Sequence, residues 1–125
     1  MESSPPPFGF KSLKVYRHAM ETSLETDKIS KQTAWGCRLY LRDQLLRSTS
    51  SVGANIAEGH SRESQKDAAR FWMIAKASAA EATHHICELK LLGIMSEQDA
   101  EKLLSRHEIT ERMLRRLIQS RLRDT

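Results

Sequence analysis

Three sets of side chains in this sequence have the types and spacing for chemistry. The first is a polar series, Gln44, Ser48, Ser51, Asn55 and Glu58, whose steps of 4, 3, 4 and 3 align it along one line of a helix. If that line turns inward each group needs a partner, because a buried polar group left unsatisfied costs about 1–3 kcal/mol. Arg47, Arg62, Ser78 and Glu81 have the right chemistry to serve. Three readings are open: a structural network holding helix register (Gln44, Ser48, Ser51, Asn55, Glu58, Ser78 and Glu81), a solvated face, or a ligand or catalytic pocket. The network is the expectation.

The second set is His84-His85 with Cys87 and Glu88. Glu81-x-x-His84 has the form of a di-iron carboxylate unit, but such a centre needs two of these units and a Glu from each of two further helices. No second Glu-x-x-His occurs in the chain. His84 and Cys87, one turn apart, would hold zinc only with ligands from elsewhere. The expectation is therefore no metal and no cofactor.

The third set is basic. The net charge is +4, and residues 1–101 are balanced at 13 Lys/Arg and 13 Asp/Glu. The excess lies in the last segment, where Lys102, Arg106, Arg112, Arg115, Arg116, Arg121 and Arg123 face only Glu108, Glu111 and Asp124. Arginine suits bidentate phosphate contacts, so Arg112, Arg115, Arg116 and Arg121 are candidate nucleic-acid contacts. A solvated helix whose bases complement its own C-terminal dipole is the plainer alternative. For covalent catalysis the sequence offers no Gly-x-Ser-x-Gly elbow, no phosphate-cradling glycine loop and no His-Glu-x-x-His. A non-enzymatic protein is expected.

These residues must be positioned by helices. All three prolines fall at Pro5–Pro7, and the following stretch to Thr125 has none, which favours long helices over a loop-rich β fold. Leu13, Tyr16, Met20 and Leu24 mark a first helix over about 12–31, with Ser12 as its cap. Leu41, Leu45, Ser48, Val52 and Ile56 mark a second over about 33–58. Gly53 lies inside it, for close packing or a bend, and Gly59 closes it. A third, over about 65–92, repeats Ala68, Trp72, Ala75, Ala79, Ala82, Ile86 and Leu89, and Gly93 ends it. Ser96 caps a fourth over about 97–122, with Ala100, Leu103, Leu104, Leu114, Leu117 and Ile118 as its stripe. Short connections between such rods force antiparallel neighbours. The fold class is all-α, an antiparallel up-down-up-down four-helix bundle over 11–125, preceded by a flexible Pro-rich tail over 1–10.

One bundle of 125 residues needs a single apolar face per helix, and the third helix exceeds that. Its alanine flank, Ala75, Ala79 and Ala82, is the expected homo-oligomer interface. No apolar run is long enough to span a membrane, and the N-terminus lacks the pattern of a secretory signal. Cys37 and Cys87 read as reduced, partly buried thiols of a cytoplasmic protein, with a single bridge as the alternative.

The stretch from Leu41 to Gly59, ending in Asn55-Ile56-Ala57-Glu58-Gly59, resembles the signature of the four-helix-bundle family of 23S ribosomal RNA intervening-sequence proteins. The likeness continues through Phe71, Ile74-Ala75, Ser78, Glu81 and Leu92-Gly93-Ile94. Leu46, Gly53 and Ala77 depart from the family's usual arginine, proline and glycine. The resemblance implies a cytosolic bundle assembling as a ring, with a homopentamer as the family expectation. The chain is also similar to accessory variability proteins of diversity-generating retroelements, basic bundles that bind nucleic acid and a reverse transcriptase. Two functions follow as expectations. One is an oligomer that binds RNA, or DNA, through its C-terminal helix. The other is a protein–protein adaptor or scaffold ring with no nucleic-acid role, for which Pro5 to Phe10 is a candidate docking segment.

Overall fold

The computed structural model describes residues 9–123. A 3₁₀ turn, Gly9–Ser12, leads into four helices: α1 (Lys14–Gln32), α2 (Leu39–His60), α3 (Gln65–Leu91) and α4 (Glu97–Arg123). Each packs against its two neighbours around a square, α1 on α2, α2 on α3, α3 on α4 and α4 back on α1. This is the expected antiparallel four-helix bundle. The expected tail lies outside the described residues except at its end, where Gly9 and Phe10 join the 3₁₀ turn. There the Phe10 ring meets Tyr16 edge-on at 5.0 Å.

Local chemistry sets the helix ends. Ser64 caps α3 and Ser96 caps α4, their hydroxyls accepting from the amides of Asp67 (3.0 Å) and Asp99 (3.1 Å). Gly93 takes φ +74°. With it the Ile94 amide reaches Leu89 O (3.0 Å) and the Gly93 amide reaches Lys90 O (3.1 Å), a Schellman closure of α3.

Three boundaries differ from expectation. Leu13, not Ser12, holds the N-cap of α1. The second helix begins at Leu39 rather than near Thr33. Thr33 is extended, Gly36 has φ +61°, and buried Trp35 folds back to donate its indole N–H to Ser30 O at 2.8 Å. Gly59 sits inside α2 instead of beyond it. A Cβ there would lie 2.5 Å from Trp72 Nε1 and 3.0 Å from Ala68 O, so the bare backbone is what lets α3 approach.

The core forms two apolar clusters. One gathers Val15, Ala19, Val52, Ile56, Ala68, Ala69, Ala75, Ala79, Leu114 and Ile118 around Trp72; the other gathers Ile29, Trp35, Leu41, Leu45, Ile86, Leu89, Met95, Ala100 and Leu103. Along each helix, buried polar side chains fall between the two: Thr22 and Thr26, Ser48 and Thr49, Ser78, and His107 and Thr110. The first helix therefore presents Val15, Ala19, Thr22, Thr26 and Ile29 inward. Met20 and Leu24, expected in its core stripe, are exposed. The threonines are buried cheaply because each hydroxyl donates to a carbonyl four residues back: Thr22 to His18 O (2.9 Å), Thr26 to Thr22 O (2.7 Å) and Thr110 to Arg106 O (3.1 Å).

Candidate nucleic-acid interface

The antiparallel order brings the start of α1, the α2–α3 connection and the end of α4 to one end of the bundle. Lys14, Arg17, Arg62, Lys66, Arg70, Arg115, Arg116, Arg121 and Arg123 all lie there. Sequence reasoning placed the basic surface on the C-terminal helix alone. The up-down topology itself was the signal that the other two segments join it.

Within this end the cations differ in how tightly they are held. Arg121 is turned inward, donating to Gln65 Oε1 at 3.0 Å with its guanidinium 5.0 Å from the Trp72 ring centroid. It packs the α3–α4 seam and is the weakest of the four expected nucleic-acid contacts. Arg112 and Arg115 pair along their own helix with Glu108 (3.8 Å) and Glu111 (3.6 Å). Exposed pairs of this kind contribute about 0.3–0.5 kcal/mol, so they hold these arginines only weakly. Arg62 pairs with Glu58 and stacks on Phe71, its guanidinium 4.5 Å from the ring centroid, and Arg70 lies 4.8 Å from the same centroid. Arg116 has no acidic partner among the described residues.

Arg116 and Lys14 face each other across the α1–α4 groove, over a floor of Leu13, Val15, Met113 and Leu117, in a depression of about 340 Å³ that Ser120 also lines. An adjoining hollow of about 360 Å³ is lined by Lys14, Arg17, His18, Glu21 and Met113. Lys14 and Arg17 likewise make no ion pair among the described residues. Three cations without an ion pair thus line two adjoining hollows that share Lys14 and Met113, and Glu21 borders the second of them. At the far end of the same groove the charges cancel, with Arg106 near Glu21 (3.9 Å) and Glu25 (3.8 Å) and Lys102 near Glu25 (3.6 Å).

The polar series on α2 is only partly a network. Ser51 and Ser78 share a hydroxyl–hydroxyl bond of 2.9 Å, and Asn55 Nδ2 donates to Ser51 O (2.9 Å) and Oγ (3.0 Å), tying α2 to α3. Ser48 bonds within its own helix, to Leu45 O at 3.1 Å. Gln44, Glu58 and Glu81 are exposed and stand outside the α2–α3 bond. The seam is structural where it is buried and solvated at its ends.

The alanine flank of α3 is a correction. Ala75, Ala79 and Ala82 are 0%, 2% and 0% exposed in the single chain, closed inside its own core, and have no surface to offer a second copy. The flank that stays open is displaced around the helix: Met73, Ala77, Ala80, His84, Cys87 and Leu91, again in steps of 4 and 3. Both cysteines are free and exposed, where partial burial was expected.

On the opposite seam, between α3 and α4, Ala79, Ala80, Thr83, Leu104, His107, Glu108 and Glu111 line a hollow of about 370 Å³. His107 is 3% exposed and neither ring nitrogen has a hydrogen-bond partner. Burial, with a smaller contribution from the charge of His18, lowers its pKa from 6.5 to about 4.

No helix among the described residues is long and apolar enough to cross a membrane. An antiparallel four-helix bundle with one basic end is the class of protein that fold and surface define. The chain belongs to the family of 23S rRNA-intervening sequence proteins, whose sequence profile matches residues 11–116. Its fold is similar to the 1.70 Å crystal structure of a protein with unknown function from the S23 ribosomal protein family of Bacteroides thetaiotaomicron VPI-5482. The TM-score is 0.75 at 21% identity, over 83% of this chain and 97% of that one. No curated protein matches the chain.

Proposed function

We propose that this protein is a non-enzymatic, cytoplasmic RNA-binding bundle that engages the phosphate backbone at the basic end of its α1–α4 groove. The observation that carries the reading is the convergence of Lys14, Arg17 and Arg116, none with an acidic partner among the described residues, beside Arg112 and Arg115, whose partners hold them only weakly. Unpaired cations are the ones whose counterions phosphate binding releases. The family name supports RNA over DNA as the ligand. Replacing Lys14, Arg17 and Arg116 together by Ala should leave the melting temperature nearly unchanged, since exposed substitutions away from special features stay within about 0.5 kcal/mol. RNA affinity should fall, and the slope of log K against log salt should flatten by roughly one per cation removed. Absence of RNA binding by the wild-type chain at low salt, or an unaltered slope in the triple variant, refutes the reading.

A second reading, self-association into a ring with a pentamer as the family expectation, rests on the open apolar flank of α3. Met73 is 49% and Leu91 88% exposed there, with Ala77 and Ala80 leaving room for a second backbone. Light scattering should give a mass above that of one chain, and Ala80→Glu should lower it. A monomeric wild type overturns this reading and leaves the RNA reading to its own test.

A further inference from the structure

Glu81, His84, His85 and Glu88 follow one another at i, i+3, i+4 and i+7, so α3 stacks them on one face. His85 is only 9% exposed, and both of its ring nitrogens are buried without a hydrogen-bond partner. Each nitrogen nevertheless faces a carboxylate, Nε2 toward Glu81 Oε2 at 3.5 Å and Nδ1 toward Glu88 Oε1 at 3.8 Å. The His84 ring stands edge-on to that of His85, with centroids 5.3 Å apart. Donor atoms of His84, His85 and Glu88 all lie within 4.8 Å of one another.

We infer that His84, His85 Nδ1 and Glu88 bind one borderline divalent transition-metal ion, with zinc the best match, and that Glu81 orients His85 through its other nitrogen. Two donors each about 2.0–2.1 Å from a single zinc ion are separated by roughly 3–4 Å. The 3.8 Å between His85 Nδ1 and Glu88 fits that spacing and is too long for a hydrogen bond. Bringing donors from within 4.8 Å to that spacing takes a closing of roughly 1 Å, and the two that would move, His84 and Glu88, are exposed and half-buried. Two imidazoles and a carboxylate suit zinc, nickel or copper better than magnesium or calcium, which take oxygen ligands. Three protein ligands leave the fourth tetrahedral position to water.

The arrangement also accounts for the unsatisfied ring. With Nδ1 on the ion, His85 carries its proton on Nε2 and points it at Glu81, the carboxylate–histidine–metal relay that fixes tautomer and ring orientation. These residues stand together in the sequence, where Glu81-x-x-His84 has the form of a di-iron unit; in the structure Glu81 instead faces His85, and His84, His85 and Glu88 are the donors that come together.

The test is a zinc titration of the full chain in competition with a chromogenic chelator, with thermal unfolding followed by circular dichroism in zinc and in chelator. One ion per chain should bind and raise the melting temperature. His84→Ala and Glu88→Gln should each weaken binding at least about tenfold while melting like wild type in chelator, since neither side chain is buried. Glu81→Gln, which removes a positioning residue, should weaken binding about 10–100-fold with the stoichiometry still one. Cys87→Ser should change nothing. The inference fails if zinc uptake does not saturate. It fails equally if uptake survives both His84→Ala and Glu88→Gln, or is lost on Cys87→Ser alone.

Discussion

The end of the core around Trp72 and the polar middle of the bundle are built on opposite terms. At the Trp72 end, Ala68, Ala69, Ala75 and Ala79 of α3 clear space for one large ring, fully buried and closed in by Val52, Ile56 and Leu114. Its only polar atom, Nε1, donates to Ile56 O at 3.1 Å. In the middle, by contrast, the threonines satisfy themselves locally, but Thr49 Oγ1 and both nitrogens of His107 have no hydrogen-bond partner, and a hollow of about 370 Å³ lies beside His107. Close packing makes the first region the seat of stability. Incomplete satisfaction makes the second the region most responsive to solution conditions.

The strongest way to break that contrast is Trp72→Ala. Truncating a fully buried aromatic costs about 3–5 kcal/mol, and here the surrounding alanines cannot swing into the space. The same substitution also frees Ile56 O and removes the surface against which Arg121 packs. Urea unfolding should show most of the domain's stability gone. A loss below about 1 kcal/mol would mean that the alanine-lined end collapses readily and is not the rigid half.

How far the sequence could be read follows the same division. Where burial is apolar and periodic, as along α3 from Ala68 to Leu89, spacing alone marks the helix and its glycine stop, but not which way the stripe faces: Ala75, Ala79 and Ala82, expected at an interface between copies, are closed inside the chain's own core. In α1 the inward stripe contains Thr22 and Thr26, which an apolar count passes over in favour of Met20 and Leu24, and both of those are exposed. The late start of α2 follows from Trp35 folding back onto Ser30 five residues earlier and from the positive φ of Gly36, and that glycine is a local signal that a count of apolar spacing passes over. At the candidate interface the arginines of α4 were visible as a charge excess. Lys14 and Arg17 were hidden in a segment of zero net charge until antiparallel packing brought them beside Arg116. Arg121 read as one more surface cation because nothing in its spacing discloses that Trp72 lies beneath it.

The middle of the bundle should reveal itself through pH. The folded chain holds His107 neutral down to about pH 4, whereas the unfolded ring takes up its proton near 6.5. Between those values the unfolded state binds the extra proton, so stability rises with pH. The contribution is intact above about pH 6.5, falls as the solution is acidified, and is fully lost below about pH 4. At about 1.36 kcal/mol per unit, the loss approaches about 3 kcal/mol. His18, which faces the ring, and Glu108 and Glu111, which line the hollow beside it, remain in the His107→Leu variant. That variant should therefore keep the acid sensitivity of every other group and lose this one. Denaturant midpoints at pH 4.5 and 7.5 should differ by less in His107→Leu than in wild type. Equal differences would show that the buried ring is already solvated through the hollow.

The smallest effects come from two glycines of α2, and their signs should be opposite. Both lie inside the helix, where glycine costs about 1 kcal/mol relative to alanine, so propensity alone favours replacing either. At Gly59 the new methyl would meet Trp72 Nε1 and Ala68 O, a ring that cannot move without vacating its cavity and a backbone atom that cannot move without α3. Gly59→Ala should cost about 1–3 kcal/mol, overpacking outweighing propensity. At Gly53 the nearest atoms are Met20 Sδ at 3.4 Å and Tyr16 at 3.8 Å, the first being the tip of a flexible, partly exposed side chain. Gly53→Ala should stabilise by about 0.5–1 kcal/mol, since nothing rigid opposes the gain in backbone order. Two changes of identical chemistry six residues apart then separate the rigid seam against Trp72 from the yielding one against α1. If both destabilise, the α1–α2 seam is as tightly packed as the Trp72 end, and the contrast between a rigid and a pliant region of the bundle has to be redrawn around Met20.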